Sequence, residues 1–133
     1  VIHARDQDGE SAAIDEIFAT LDARAAGATV ILHCFSAPQK VTEAVERGWY
    51  CSFAGNVTYP RNADLRFAAA EVPEDRILVE TDAPFLTPQA RRKERNEPAN
   101  VVATAAVVAA ERGVSLAELE RTVEANARAL FGW

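Results

Sequence analysis

Two hydrophobic periods alternate along this chain, and their strict order limits the fold more than any other feature. Val1 to Ala4, Ala28 to Cys34, Trp49 to Ala54 and Ile77 to Thr81 are short apolar runs rich in β-branched or aromatic residues, the composition of buried strands. The segments between them carry helical spacing. Glu10 to Ala26 places Ile14, Ile17, Phe18 and Leu21 at i, i+3, i+4 and i+7, and Gly27 closes it as a helix-terminating glycine. Pro38 to Arg47, with Val41, Ala44 and Val45 on one side and Gly48 after it, reads as a second helix, and Asn62 to Glu71 as a third. After a polar segment, Thr87 to Asn96, an Ala and Val helix is predicted to about Arg112. Ser115 with Glu118 three residues on forms a capping box for a last helix ending near Phe131.

Strands and helices in this order imply a parallel sheet with right-handed crossovers, either an open doubly wound sheet or part of a (β/α)₈ barrel. A full barrel takes ~250 residues, so four strands in 133 residues correspond to a partial barrel. No linker or low-complexity tract divides the chain, and one domain over residues 1–133 is expected. The chain has no methionine and opens as if a strand were already in progress, which reads as a fragment. It has no uninterrupted apolar stretch long enough to span a bilayer and no signal-like start, so a cytoplasmic protein without membrane contact is expected. Cys34 and Cys51 lie inside apolar runs and read as reduced, buried thiols. The net charge of -6 argues against coating nucleic acid through the overall field, yet leaves room for a local basic site.

The acidic pair Glu80 and Asp82 is the anomaly, because it terminates the apolar run Ile77, Leu78 and Val79. Alternation along a strand puts Leu78, Glu80 and Asp82 on one face and Ile77, Val79 and Thr81 on the other. The same rule groups Thr29, Ile31 and His33 and turns Cys34 away, so His33 and Cys34 make a poor nucleophile and base pair. His3 closes the first strand. Both histidines of the chain and a pair of carboxylates thus fall at strand carboxyl ends, where α/β sheets and barrels build their sites. Two imidazoles with carboxylates make a ligand set for zinc, manganese or iron, or for magnesium with more oxygen ligands, and a bound cation would neutralise the acidic pair. The alternative is two satisfied core histidines, with the acids held by a helix terminus or an arginine.

Six stretches, in order, carry a family resemblance: VIHARD at Val1 to Asp6, LHCFS at Leu32 to Ser36, FAGNVTYPRNADLR at Phe53 to Arg66, LVETDAPFLTP at Leu78 to Pro88, RNEPANV at Arg95 to Val101, and NARALF at Asn126 to Phe131. The chain resembles the carboxyl half of the TatD-type deoxyribonucleases, metal-dependent hydrolases with a TIM-barrel fold. The resemblance implies His3, His33 and Asp82 as metal ligands, and Glu80 as a second acidic residue serving another ion or a water. It implies divalent ions (Mg, Mn or Zn) and cleavage of DNA phosphodiester bonds by metal-activated water, with Glu80 and Asp82 as the catalytic carboxylates. Hydrolysis of D-aminoacyl-tRNA esters is the alternative within the fold, and a non-catalytic folded fragment is the alternative outside enzymes. The family's His-x-His pair and a bridging Glu would precede Val1, so weak metal binding is expected of this chain alone.

The segment QARRKERNEP has Ala90, Lys93 and Glu94 where the family commonly shows proline, glycine and lysine, while Arg92 and Arg95 keep their places. Arg91, Arg92, Lys93 and Arg95 against Glu94 and Glu97 leave a locally basic loop, and the resemblance makes Arg92, Arg95 and Asn96 substrate-binding candidates. The structural reading of the loop has Asn96 capping the next helix and Glu97 in its first turn. Ser36, Asn56 and Thr58 fit either substrate contact or turn roles. Trp49 and Tyr50 read as core or strand residues. DNA, the amino half of a barrel and a second copy of the chain are the expected partners, the last because half a barrel leaves sheet edges open.

Overall fold

Each apolar run forms its strand, the first three shortened at both ends and the fourth at its carboxyl end alone: β1 is Ile2–His3, β2 Ile31–His33, β3 Tyr50–Phe53 and β4 Ile77–Val79. The structure, a computed structural model, describes residues 1–6 and 11–133. The four strands are parallel and lie in the order β1-β2-β3-β4. A doubly wound sheet reverses its strand order at a switch point; this sheet runs in sequence order, as a barrel wall does. In register, His3 faces His33 across β1 and β2, and Phe53 faces Val79 across β3 and β4.

The helices follow their strands. They are α1 (Ala12–Arg24), α2 (Val41–Glu46), α3 (Ala63–Glu71), α4 (Val101–Glu111) and α5 (Leu116–Phe131). The predicted beginning of the first helix at Glu10 lies outside the described residues. Ile14 and Phe18 of α1 are buried, and the Phe18 ring meets the Trp49 ring edge-on at 4.8 Å. From the other strands and helices Cys51, Phe53, Ile77, Val108 and Leu119 are almost fully enclosed. Burial of a side chain such as Phe53 or Leu119 stabilises the fold by about 1.5 to 3 kcal/mol. Both thiols are free and buried, and burial pushes each up to about 12.

Two side chains tie the last helices down, one to the entrance of β4 and one to the end of α3. Asn126 of α5 donates from Nδ2 to the carbonyls of Glu74 (2.7 Å) and Ile77 (2.8 Å), fixing the entrance of β4. Arg112, after α4, donates to the carbonyls of Ala69 and Val72 at 2.7 Å each, satisfying the end of α3. The capping box of α5 is present: Ser115 Oγ accepts from the Glu118 N–H, and the Ser115 N–H donates to Glu118 Oε2. The Ala and Val helix starts at Val101, after one 3₁₀ turn at Pro98–Asn100 whose proline supplies the helical φ and lacks only an N–H that the turn does not use. Among the described residues no single helix is long and apolar enough to cross a membrane.

Candidate metal centre

Sequence alternation predicts that Glu80 and Asp82 share a strand face, but the strand stops at Val79. The Glu80 N–H still donates to the Phe53 carbonyl (2.9 Å), which holds Glu80 at the sheet end. Asp82 then adopts φ 55°, in the left-handed region that costs a non-glycine residue about 1 to 2 kcal/mol. Its neighbours hold that turn: the Phe85 N–H donates to the Asp82 carbonyl at 2.9 Å, and Asn96 Nδ2 donates to the carbonyls of Thr81 (2.7 Å) and Phe85. Asp82 therefore reaches its partners from a clasped turn and not from a continuing pleat.

Those partners converge on His33 at the end of β2. Its Nδ1 lies 2.8 Å from Glu80 Oε1, and its Nε2 lies 3.2 Å from Asp82 Oδ1. The three side chains are 31%, 18% and 25% exposed, so all are partly open to solvent. Among the described residues no arginine or lysine pairs with either carboxylate. Glu80 Oε1 is buried and accepts no hydrogen bond; its one polar neighbour is the His33 Nδ1 at 2.8 Å. An orphaned carboxylate oxygen in that position calls for a cation. One imidazole nitrogen and two carboxylate oxygens, all within 4.8 Å of one another, form a mixed set that fits a divalent metal.

His3 stands at the edge of this group. Its ring centroid is 5.4 Å from that of His33, tilted by 45°, and the residue is exposed. The three-residue ligand group does not include it. Cys34, with φ 48°, turns sharply out of β2 into the buried layer; Asp82 and Glu80 reinforce the upward push that burial gives its thiol.

The basic loop divides into two parts. Arg92 and Arg95 are exposed, and Arg92 lies over the Tyr59 ring at 4.4 Å, while the Tyr59 hydroxyl donates to the Thr87 carbonyl. Asn96 differs from both expectations for it. It is 3% exposed, so it presents nothing to a substrate, and it caps no helix. Besides its two donated bonds, its Oδ1 accepts from the Glu97 N–H and Asn100 Nδ2, so every polar atom of the amide serves the loop. Thr58 takes a turn role, donating to the Gly55 carbonyl and accepting from the Gln89 N–H. Sequence reasoning passed over Tyr59 and Gly55. A Cβ on Gly55 would sit 1.9 Å from the Leu86 carbonyl oxygen, so only glycine lets the β4 loop rest on the turn after β3. The glycine beside a predicted strand end was the available signal.

The family model for TatD related DNase matches residues 1–132. The chain belongs to the TatD-related DNase family. It is 35% identical over 132 residues to "uncharacterized metal-dependent hydrolase YcfH" of Escherichia coli K12, covering 98% of this chain and 48% of that protein. It is 39% identical over 107 residues to the "3'-5' ssDNA/RNA exonuclease TatD" of Cronobacter sakazakii, covering 76% of this chain and 41% of the relative. The crystal structure of the TatD homolog YjjV from Escherichia coli K12 superposes with a TM-score of 0.81 at 27% identity, over 90% of this chain and 46% of that one. The chain thus spans about half the length of these relatives. Its four parallel strands and outer helices are a partial TIM barrel.

Proposed function

We propose that this TatD-family chain contributes part of the metal centre of a hydrolase that cleaves phosphodiester bonds in DNA. The observation that carries the reading is the convergence of His33, Glu80 and Asp82 around a carboxylate oxygen with no donor. His33, Asp82 and the neighbouring His3 are the residues to hold a divalent ion, and Glu80 serves the same ion, a second one or a water. Such an ion supplies Lewis-acid stabilisation of phosphoryl oxygens and lowers the pKa of water. The protein's own part is to fix the donors: Asn96 holds the Asp82 turn, and the Phe53 carbonyl holds Glu80. Arg92 and Arg95, whose exposure on the loop after β4 supports this role, are the groups to hold a strand by its phosphates. The single-stranded DNA and RNA named for the Cronobacter relative agree with this substrate class.

Titration calorimetry with Mn²⁺ tests the metal centre: the wild-type chain should take up the ion, and His33→Ala with Asp82→Asn should lose that uptake. Incubating the Mn²⁺-loaded chain with end-labelled single-stranded DNA, and separately with a D-aminoacyl ester, tests the reaction. Ester hydrolysis without strand cleavage would overturn the phosphodiesterase reading.

A further inference from the structure

Among the described residues three arginines stack on aromatic rings, and one of them is held by its ring alone. The Arg47 guanidinium lies 5.5 Å from the Trp49 ring centre and pairs with Asp22 at 2.8 Å, and that of Arg76 lies 5.1 Å from Tyr50 and pairs with Asp75 at 2.8 Å. Arg92 has the nearest ring of the three, Tyr59 at 4.4 Å, and among the described residues no carboxylate pairs with it. The acid two positions on, Glu94, is taken by Arg91 at 3.3 Å. A carboxylate holds a guanidinium by neutralising it, whereas a ring holds the flat face and leaves the charge and the N–H groups for a further partner.

The ring itself is fixed. Tyr59 is 5% exposed and its hydroxyl donates to the Thr87 carbonyl at 3.1 Å, while Thr87 Oγ1 donates to the Glu94 carbonyl at 3.0 Å, so the anchor reaches both sides of the turn that carries Arg92. Next to Tyr59, Thr58 Oγ1 accepts from the Gln89 N–H at 2.7 Å, and the Gln89 carbonyl accepts from the Arg92 N–H at 3.3 Å. The loop after β4 is thus fastened twice. Asn96 holds the turn with Asp82, and the segment after β3 holds the turn with Arg92. One braced loop therefore joins a metal-ligand candidate to an exposed cation that nothing neutralises among the described residues. An arginine already laid on a ring has less rotamer freedom to lose when it grips a phosphate.

We propose that Tyr59 is a positioning residue for the nucleic-acid substrate: its ring holds the Arg92 guanidinium flat, with the N–H groups free, to take a backbone phosphate of the strand presented to His33, Glu80 and Asp82. The inference rests on the phosphodiesterase reading and deepens it by setting Arg92 apart from Arg95 and Lys93, which have no ring beneath them among the described residues. Tyr59 acts on the substrate only through Arg92.

Fluorescence anisotropy with a short labelled oligothymidylate tests it as a double-mutant cycle on the chain as it stands. Arg92→Ala should weaken binding and reduce the slope of log affinity against log salt by about 0.7, the loss of one single-strand phosphate contact. Tyr59→Leu should weaken binding about two- to fivefold, the size of an exposed cation–π contact, and should add nothing in the Arg92→Ala background. Tyr59→Phe keeps the ring and should recover most of what Tyr59→Leu loses. Arg24→Ala, which removes an equal charge from the last turn of α1, should leave affinity and slope unchanged. Because Tyr59 is buried, nuclear magnetic resonance of the unaltered fold gives a second reading: the Arg92 side-chain Nε–H proton, assigned by its loss in Arg92→Ala, should lie upfield through the ring current and move when the oligothymidylate is added. Equal losses from Tyr59→Leu with and without Arg92, Tyr59→Phe as weak as Tyr59→Leu, wild-type affinity in Arg92→Ala, an unshifted Arg92 signal, or no binding by the wild-type chain would each overturn the role. Strand cleavage is read separately on end-labelled DNA, so a chain that shows the coupling but cuts no strand loses the phosphodiesterase reading and retains the positioning, and a chain that cuts without the coupling does the reverse.

Discussion

Among the described residues Glu80 and Asp82, two carboxylates at one sheet end, pair with no arginine or lysine, and His33 is the group they share. Removing either charge should reduce cation affinity far more than it disturbs the fold, because both side chains are partly open to solvent. Calorimetry should show Glu80→Gln and Asp82→Asn each lowering Mn²⁺ affinity by at least about tenfold, the scale of a lost ligand-shell contact, with melting temperatures near that of the wild type. This cluster was legible in the sequence because carboxyl ends of strands are recognisable and polar residues there are few. Asn96 was not legible. Its role depends on which carbonyls the turn at Asp82 leaves loose, and that follows only from the left-handed backbone, which alternation does not foresee. The thiols give a second residue-level prediction. Burial pushes Cys34 and Cys51 up to about 12, so iodoacetamide at mildly alkaline pH should leave both unlabelled in the folded chain and modify both in denaturant, as read by mass.

Among the elements, the capping box of α5 and the stripe of α1 were readable because both are local patterns. The early stop of β4 was not, since strand ends are set by where pairing partners stop. The caps also give stability a pH dependence. The Ser115 side chain and N–H hold the Glu118 carboxyl below its usual value of 4.5. A carboxyl lowered in the folded state stabilises above its unfolded pKa and loses that contribution as pH falls through the folded one. Ser115→Ala should therefore lower the melting temperature at neutral pH, and the gap to wild type should narrow below about pH 4.5, which thermal denaturation followed by circular dichroism would show. Asn126 gives a larger effect without pH dependence. Asn126→Leu strands the Ile77 carbonyl at a buried position and should cost about 2 to 3 kcal/mol in urea unfolding, the penalty for an orphaned buried acceptor.

At the scale of the whole molecule, the sheet order carries the last consequence. Among the described residues β1 pairs only with β2, and β4 only with β3, so the outer sides of both strands present backbone donors and acceptors. A closed barrel satisfies such edges by joining them; four strands in sequence order do not close. The edge strands are short, at two and three residues, which limits how strongly they template another chain. Exposed Phe67, Phe85 and Val102 add apolar surface that favours association. Short edges together with exposed apolar side chains predict reversible, concentration-dependent self-association and not fibre growth. Light scattering coupled to size exclusion should show the mass of the 133-residue chain rising with concentration and returning on dilution. Lysine substitutions at Ile2 and Val79, which place charge on the two edges, should suppress that rise. A chain that stays monomeric at every concentration would mean that its edges are already protected by their brevity alone.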